Sequence, residues 1–212
     1  MVGNDRQHGI VRVFPDGRIA PSDSVFALLP SVRSFLEIRD GVYLVGMHTG
    51  GLALYDSHTH KLIKYNTREE GSRKLYNDQV SNIVKDRDGA NLDRYFRWRF
   101  CRFDEEKGIM EWLTAVEGLS DDNINSIIPG DDGKLWISTG NGISAYDPES
   151  RQFTNYMGRS EIPVNEFSMK GGIKLPGDRI YFSGSNGLVS FYPERLIENP
   201  FYTSGRTDLF YG

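Results

Sequence analysis

The sequence predicts an all-β fold, a β-propeller fragment of four-stranded antiparallel blades, and three observations lead to this prediction. First, an aromatic residue that closes the third strand of a repeat returns at intervals of 41, 48, 43 and 45 residues. Second, the segments between these aromatics alternate apolar and polar residues as short strands do, and helical periodicity is hard to find. Third, a period of roughly 40 to 50 residues with four short strands is typical of a propeller blade. The recurring aromatics are Phe14, Tyr55, Phe103, Tyr146 and Phe191.

The clearest repeat runs from Gly118 to Tyr156. Asp131-Asp132-Gly133 is predicted as a tight turn, and Gly140-Asn141-Gly142 as a hairpin turn, because Asn and Gly accept a positive φ at little cost. Asp147-Pro148-Glu149 turns the chain toward the outer strand. The four strands of this repeat are predicted at 123–128, 135–139, 143–146 and 152–156.

The same pattern divides the chain into about four and a half blades, so the ring is predicted to be incomplete. The chain begins inside a blade, because Gly9 to Phe14 aligns with Gly142 to Tyr146 and no first strand precedes it. Such an arc leaves sheet faces and edge strands unpaired, which invites aggregation or pairing with another chain. The predicted units are a half blade at 1–24, blades at 25–66, 74–113 and 118–156, a last blade at 164–196 and a tail at 201–212.

Composition excludes several classes of function. A net charge of −4 with interspersed signs gives no nucleic-acid-binding footprint. Cys101 is the single cysteine, which excludes an internal disulfide and a Cys-rich metal site. No apolar run approaches the length that spans a bilayer, and no basic and apolar signal segment follows Met1, so this chain carries no export address of its own. No nucleophile with a base and no phosphate-binding glycine loop occurs, so neither an enzymatic activity nor a cofactor is predicted.

One motif carries a family resemblance. The pattern from Leu119 through Leu135-Trp136-Ile137 to Tyr146-Asp147 resembles the two-component regulator propeller repeat, found in the extracytoplasmic sensor of bacterial hybrid two-component histidine kinases. The segments from Val164 to Phe167 and from Ile180 to Glu194 are similar to the last blade of that propeller, and the resemblance covers roughly residues 1 to 200. It implies a periplasmic sensor, anchored in the inner membrane through segments absent from this chain. It also implies a dimeric parent protein that detects oligosaccharides released from polysaccharides.

A second function stays open from the sequence. Streptogramin lyase resembles this chain in its kind of repeat, but such a lyase needs a histidine-bearing, metal-assisted site on one face of the propeller. His8 and His48 are the histidines predicted on that face. His58 and His60 have the His-x-His spacing of a metal site but lie on the opposite-face turn without a third ligand nearby, so no metal site is predicted.

The candidate ligand residues follow from propeller architecture. The loop that leads into each inner strand and the turn between the second and third strands lie on one face, which is the usual ligand face. Asn and Asp at such turns also have a structural role, because they bond their own backbone. Adjacent residues of an extended chain point apart, so the Asp121-Asp122 pair is not predicted to be catalytic. The predicted ligand-binding residues are Arg6, His8, His48, Thr49, Asn77, Asp121, Asn141 and Asn186; Asn4, Asp5, Gln7, Tyr76, Asp78, Asp122 and Asn165 share the face.

Two segments break the repeat. After Gly89 a second strand with glycines is expected, but Ala90 to Arg99 is rich in charge. One codon choice for this segment, read one base later, gives Arg-Ile-Trp-Ile-Gly-Thr-Phe-Gly-Gly-Gly, which is the expected motif. We hypothesise a compensated frameshift there, with a divergent basic strand as the alternative, and a shifted frame also for the tail at 201–212. We therefore expect the 74–113 blade to be distorted or to lose its second strand.

Overall fold

The computed structural model of the protein describes residues 2–3, 10–13, 16–20, 29, 31–86, 91–95, 100–156 and 166–196; for 2–3, 10–13, 19–20 and 91–95 it describes the backbone alone. The regular secondary structure of the described chain is β-strand, apart from short 3₁₀ turns. Its strands are β1 Val2–Gly3, β2 Ile10–Val13, β3 Ile19–Ala20, β4 Val32–Arg39, β5 Val42–Met47, β6 Leu52–Asp56, β7 Lys61–Tyr65, β8 Val80–Lys85, β9 Asn91–Tyr95, β10 Phe100–Asp104, β11 Gly108–Leu113, β12 Ile124–Pro129, β13 Leu135–Thr139, β14 Gly142–Asp147, β15 Gln152–Tyr156, β16 Phe167–Leu175, β17 Arg179–Gly184 and β18 Gly187–Phe191.

Five antiparallel sheets follow one another along the chain, and each strand pairs with the next in sequence. The sheets are β1–β3, β4–β7, β8–β11, β12–β15 and β16–β18. The predicted all-β, propeller-type fold of four-stranded antiparallel blades is therefore confirmed. The chain forms two compact units that divide within the third sheet: the first holds the first two sheets and most of the third, and the second holds the last two sheets with Phe100, Trp112 and Leu113.

The fourth sheet shows how closely the sequence pattern specifies a blade. Strands β13 and β15 begin and end at the predicted residues, and β12 begins at Ile124, one residue later than predicted. A capping box precedes the sheet, in which Thr114 accepts a hydrogen bond from the Val116 amide and the Glu117 side chain accepts one from the Thr114 amide. Gly118 then ends this 3₁₀ turn with φ 115°, a backbone conformation that favours glycine.

The recurring aromatics hold neighbouring blades together. Because side chains alternate along a strand, each sheet has a front face and a back face. In the fourth sheet, Tyr146 lies on the back face, and the front face carries Ile128, Trp136, Ile143 and Ala145. In three successive pairs of sheets, a front-face aromatic contacts the third-strand aromatic on the back face of the next sheet. The pairs, with their ring-centroid separations, are Tyr65 with Phe103 at 5.2 Å, Phe100 with Tyr146 at 5.9 Å and Trp136 with Phe191 at 4.8 Å.

The buried fractions agree with the predicted core. Tyr55, Phe103 and Tyr146 are fully buried, and Phe191 is 6% exposed. Trp136 is also buried, and at the same position in other blades Leu44 is buried and Tyr181 is half-buried. The remaining predicted aromatic, Phe14, lies outside the described residues.

The acidic residue after the third-strand aromatic organises the next turn. The Asp147 carboxylate accepts hydrogen bonds from the amides of Glu149 and Ser150 and from the Ser150 hydroxyl, at 2.9, 3.4 and 2.9 Å. Asp56 accepts from the amides two and three residues later, and so does Asp104. The aromatic-Asp pair of the repeat therefore combines two roles: the ring packs between blades, and the carboxylate caps the turn into the outer strand.

Inner strands of neighbouring blades approach closely where the sequence has small residues. A Cβ added at Gly172 of β16 would lie 2.5 Å from Ser126 Oγ of β12, which is closer than real Cβ contacts allow. Gly46 has a similar relation to Ser34 Oγ and to Val80 of the next inner strand. Glycine at these positions lets the inner strands pack against each other.

Of the outcomes expected for the 74–113 blade, loss of the second strand does not occur, and distortion of the blade stays a prediction. Strand β9 pairs with β8 from Val80 opposite Tyr95 to Lys85 opposite Asn91, with a register shift between Val80 and Asn82. Comparable shifts occur between Ile124 and Ser126 and between Val32 and Ser34, so this one belongs to the blade pattern. Backbone pairing tolerates the charged sequence, because ladder hydrogen bonds do not depend on side-chain polarity. The side chains of 91–95, residues 96–99 and the 201–212 tail lie outside the description, so the frameshift hypothesis stays a hypothesis.

The interblade aromatics are predicted to dominate stability. Phe103→Ala removes a fully buried ring that contacts Tyr65, so we expect the free energy of unfolding to fall by roughly 3 to 5 kcal/mol. The matched control is Tyr76→Ala, whose ring is 61% exposed, with an expected change within about 0.5 kcal/mol. Urea unfolding followed by tryptophan fluorescence measures both variants. A loss below about 1 kcal/mol for Phe103→Ala would contradict the role given to this contact.

The turn carboxylates predict a pH dependence. Burial raises the pKa of the Asp147 carboxyl, but the hydrogen bonds from Ser150 and from the Glu149 amide outweigh that effect, so its pKa lies below the usual 3.8. Its stabilising contribution is therefore present above pH 3.8 and is lost as the pH falls through the lower folded-state pKa. We expect Asp147→Ala to lower the free energy of unfolding by about 1 kcal/mol at neutral pH. The difference from the unchanged protein should shrink below pH 3.8.

Glu149→Gln is the control for this experiment, because it removes one negative charge from the same turn at an exposed position. Thermal melts at pH values about one unit apart, from roughly pH 2.5 to about pH 7, compare the three proteins. A difference for Asp147→Ala that stayed constant across this range would show that the carboxylate charge is irrelevant to the turn.

Candidate functional site

The predicted ligand residues that the structure describes lie at one end of their own blades, and in three blades a repeated backbone hydrogen bond brings two segments together there. The first residue after the second strand donates its amide to the carbonyl of the residue that precedes the inner strand. These bonds run from His48 to Ser31 at 2.8 Å, from Gly140 to Asn123 at 2.8 Å and from Ser185 to Glu166 at 2.9 Å. The turn between the second and third strands and the loop before the inner strand are therefore joined in three blades.

In the second sheet, the turn that carries His48 and Thr49 has one residue more than the Gly140-Asn141 turn, because the Met47 amide donates to the Gly51 carbonyl across it at 2.9 Å. The amides of Gly50 and Gly51 donate to the carbonyl of Asp78 at 3.2 and 2.8 Å. This contact places the turn next to the loop that holds Asn77. The structure therefore brings together three of the predicted residues, His48, Thr49 and Asn77.

The loop before β8 is held by its own side chains. The Asp78 carboxylate accepts from the Thr67 amide at 2.7 Å and from the Thr67 hydroxyl at 3.1 Å, and Asn77 Oδ1 accepts from the Gln79 amide at 2.9 Å. Tyr76 precedes these residues with its ring 61% exposed. The loop therefore presents an aromatic surface from a backbone that hydrogen bonds fix in place.

In the fourth sheet, Asp121 and Asn141 lie close to each other. Asn141 Nδ2 donates to the Ser120 carbonyl at 3.4 Å, and Asp121 Oδ1 accepts from the Asn123 amide at 2.6 Å. The neighbouring Asp122 accepts from the Ala115 amide at 2.6 Å instead. The two carboxylates thus accept hydrogen bonds from different backbone segments.

A hydroxyl network that the sequence analysis did not identify supports this loop. Ser120 Oγ lies 2.8 Å from both Thr139 Oγ1 and Ser144 Oγ, and Ser144 Oγ lies 2.7 Å from Asn155 Oδ1. Asn155 Nδ2 donates to the Gly118 carbonyl at 2.9 Å. The sequence carries one sign of this network: Ser144 is polar at a position that is apolar in other repeats, such as Ala53 in the second sheet. Its cross-strand partner Asn155 is polar as well.

The remaining predicted residues are placed individually. Asn186 is exposed in the two-residue turn between β17 and β18. Arg6 and His8 lie outside the described residues, as do Asn4, Asp5, Gln7 and Asn165. On the opposite-face turn, His60 Nδ1 lies 3.2 Å from the Tyr55 hydroxyl, and His58 Nε2 lies 3.3 Å from the Asp40 carbonyl. The His-x-His spacing therefore serves contacts within its own blade.

The described residues contain neither a cluster of potential metal ligands nor a helix that could cross a membrane. Across the described ranges, no three or more His, Cys, Asp and Glu side chains come together in a way that could hold a metal ion. In that same part of the chain, no helix has the length and apolar character needed to cross a membrane.

Comparison with known proteins gives a family match over one repeat, and a fold. Residues 118–141 match the family model described as two component regulator propeller. The chain is 26% identical over 82 residues to Histidine kinase P4 of Formosa agariphila, an alignment that covers 39% of this chain and 6% of the kinase. The chain thus spans a small part of the length of that relative.

Three solved structures share the fold. The extracellular domain of a one component system from B. thetaiotaomicron has a TM-score of 0.70 at 17% identity, covering 99% of this chain and 29% of that one. A hybrid two component system from the same organism has an extracellular domain with a TM-score of 0.52 at 20% identity, covering 90% of this chain and 32% of that one. Virginiamycin B lyase of Staphylococcus aureus has a TM-score of 0.60 at 16% identity, covering 92% of this chain and 65% of that one.

At these identities the solved structures show the fold alone, while the family match falls on the first two strands of the fourth sheet and the loop before them. The chain therefore carries the two-component regulator propeller repeat, as its sequence pattern predicted.

Proposed function

We propose that the chain is the ligand-sensing propeller of a two-component sensor kinase and recognises oligosaccharides released from polysaccharides. The family match and the likeness to extracellular sensor domains support the sensor role. In this proposal the chain itself is not an enzyme. The kinase activity belongs to a longer parent protein that is anchored in the inner membrane, acts as a dimer and presents this propeller to the periplasm.

The observation that carries the ligand class is the combination of an exposed ring with fixed polar groups at one end of the blades. Tyr76 is 61% exposed, and Thr49 and the side-chain amide of Asn77 belong to the segments joined beside it. A sugar has an apolar face of C–H groups and a rim of hydroxyls, so it matches an aromatic surface bordered by donors and acceptors. Asp121, Asn141 and Asn186 extend the same chemistry to other blades.

The proposal is tested by binding to a panel of short oligosaccharides released enzymatically from plant, algal and host polysaccharides. A ligand that binds the folded state raises the unfolding midpoint, and the shift grows with the logarithm of ligand concentration once that concentration exceeds the Kd. For any oligosaccharide that does so, we expect Tyr76→Ala and Asn77→Ala each to weaken binding about tenfold or more, which corresponds to roughly 1.4 kcal/mol. Isothermal titration calorimetry measures these affinities.

The matched control is Lys107→Ala, an exposed residue in the turn at the opposite end of a blade, for which we expect unchanged affinity. Equal losses in all three variants would show that binding does not occur at the proposed end. No binding to any member of the panel would contradict the carbohydrate assignment. Turnover of a streptogramin with a bound divalent ion would instead support the lyase function.

A further inference from the structure

A groove lies between the second sheet and the β10–β11 turn, at the end of the blades opposite the candidate site. Its volume is about 190 Å³, and all the residues that line it belong to the first compact unit. An apolar cavity of roughly 150 Å³ holds a ligand of the size of benzene. The groove therefore has room for a small molecule rather than for an oligosaccharide.

The floor of the groove is the front face of the second sheet. Leu54 occupies the register position that Ala145 has in the fourth sheet, and Ile63 is its partner on β7. Leu54 is buried and Ile63 is half-buried. Two residues further along the same face, Asp56 pairs with Lys61 at the mouth of the groove. The groove thus has an apolar floor and a charged mouth.

The third sheet supplies the opposite wall. The Phe103 ring meets the Tyr65 ring with their centroids 5.2 Å apart, and Glu105 follows two residues after Phe103 on the same side of the chain. Glu105 Oε1 accepts hydrogen bonds from Arg39 Nε at 2.9 Å and from Arg39 Nη2 at 2.6 Å. This ion pair joins the two sheets across the groove, and each of its charges already has a partner.

Two other charged side chains at the groove remain available to a ligand. The Asp56 carboxylate accepts hydrogen bonds from the amides two and three residues later, at 2.8 and 3.3 Å. Within the described part of the chain, however, the Lys61 ammonium and the Glu106 carboxylate make neither a hydrogen bond nor an ion pair. The groove therefore offers one cation and one anion beside an apolar floor.

A free α-amino acid with an apolar side chain complements all three features. Its carboxylate matches an ammonium, its own ammonium matches a carboxylate, and its side chain matches the floor. An aliphatic acid would bring its charge toward the carboxylates of Asp56, Glu105 and Glu106, which repel it. An aliphatic amine would leave Lys61 unpaired beside a second positive charge.

We propose that the groove binds an apolar α-amino acid, whose carboxylate pairs with Lys61, whose ammonium pairs with Glu106 and whose side chain covers Leu54 and Ile63. The propeller thus has a small-ligand site in addition to the proposed oligosaccharide site. The two sites are independent, because they lie at opposite ends of the blades.

The test is a calorimetric titration of the 212-residue chain with L-leucine, up to about 10 mM. Glycine carries the same two charged groups without the apolar side chain, so we expect it to bind about tenfold more weakly or less. The probe 4-methylpentanoate lacks the ammonium, and 3-methylbutylamine lacks the carboxylate. We expect each to bind about two- to fivefold more weakly than L-leucine, because each loses one part-exposed ion pair.

Substitutions at the mouth test the two ion pairs from the side of the protein. We expect Lys61→Gln and Glu106→Gln each to weaken L-leucine binding about two- to fivefold. The fourth sheet has Gln152 at the register position of Lys61, so the first substitution is compatible with the fold. The matched control is Glu149→Gln, because the Glu149 amide donates to the turn aspartate of its sheet as the Glu106 amide does. We expect its affinity to be unchanged.

Several outcomes would overturn the proposal. They are the absence of L-leucine binding in both calorimetry and the unfolding midpoint, equal affinity for glycine, and an affinity that neither Lys61→Gln nor Glu106→Gln lowers. Tighter binding of 3-methylbutylamine than of L-leucine would assign the groove to a cation and overturn it as well. We expect Tyr76→Ala, at the oligosaccharide end, to leave L-leucine binding unchanged. A loss equal to that of Glu106→Gln would place the amino acid at that end and contradict the proposal.

Discussion

Burial of the third-strand aromatic against the front face of the preceding blade is the contact on which the rest of the structure depends. An isolated four-stranded sheet has two faces to cover, and one layer of side chains cannot shield either from water. The repeat solves this by placing a large ring at the same register in each blade, so that Phe103 meets Tyr65, Tyr146 meets Phe100 and Phe191 meets Trp136. The small residues of the inner strands, such as Gly172 beside Ser126, permit the close approach that brings these rings into contact.

Because packing fixes the blades, the turns at one end are free to vary in chemistry. The backbone bond from the first turn residue to the residue before the inner strand recurs at His48, Gly140 and Ser185, which are three unrelated residue types. The fold thus sets the position of each turn through main-chain atoms and leaves the side chains available for recognition. The Ser120 hydroxyl network adds rigidity at one such loop without using the exposed groups of Asp121 or Asn141.

Much of the fold could be predicted from the sequence because its determinants are local and repeated. Strands β13 and β15 follow from alternation and turn residues, and the buried aromatics follow from their period. The hydroxyl network could not be predicted, since it depends on cross-strand neighbours such as Ser144 and Asn155 whose alignment only the register reveals. The presence of strand β9 could not be decided from the sequence for a related reason: side-chain polarity leaves strand formation open, whereas pairing depends on the neighbouring strand Val80–Lys85. The candidate site was predicted as a set of positions, and the contact between the His48 turn and Asp78 came from the structure alone.

The one-directional packing of front face against the next back face has a consequence for the order of folding during synthesis. A ribosome releases the chain from its N-terminus, so the front face that carries Tyr65 exists before Phe103 has been made, and the face that carries Trp136 exists before Phe191. Each new blade therefore emerges beside a finished template and closes its ring contact without waiting for distant sequence. Contacts between sequence neighbours of this kind keep loop-closure entropy small, so the nascent chain can grow blade by blade, with one uncovered template at its leading end at any moment.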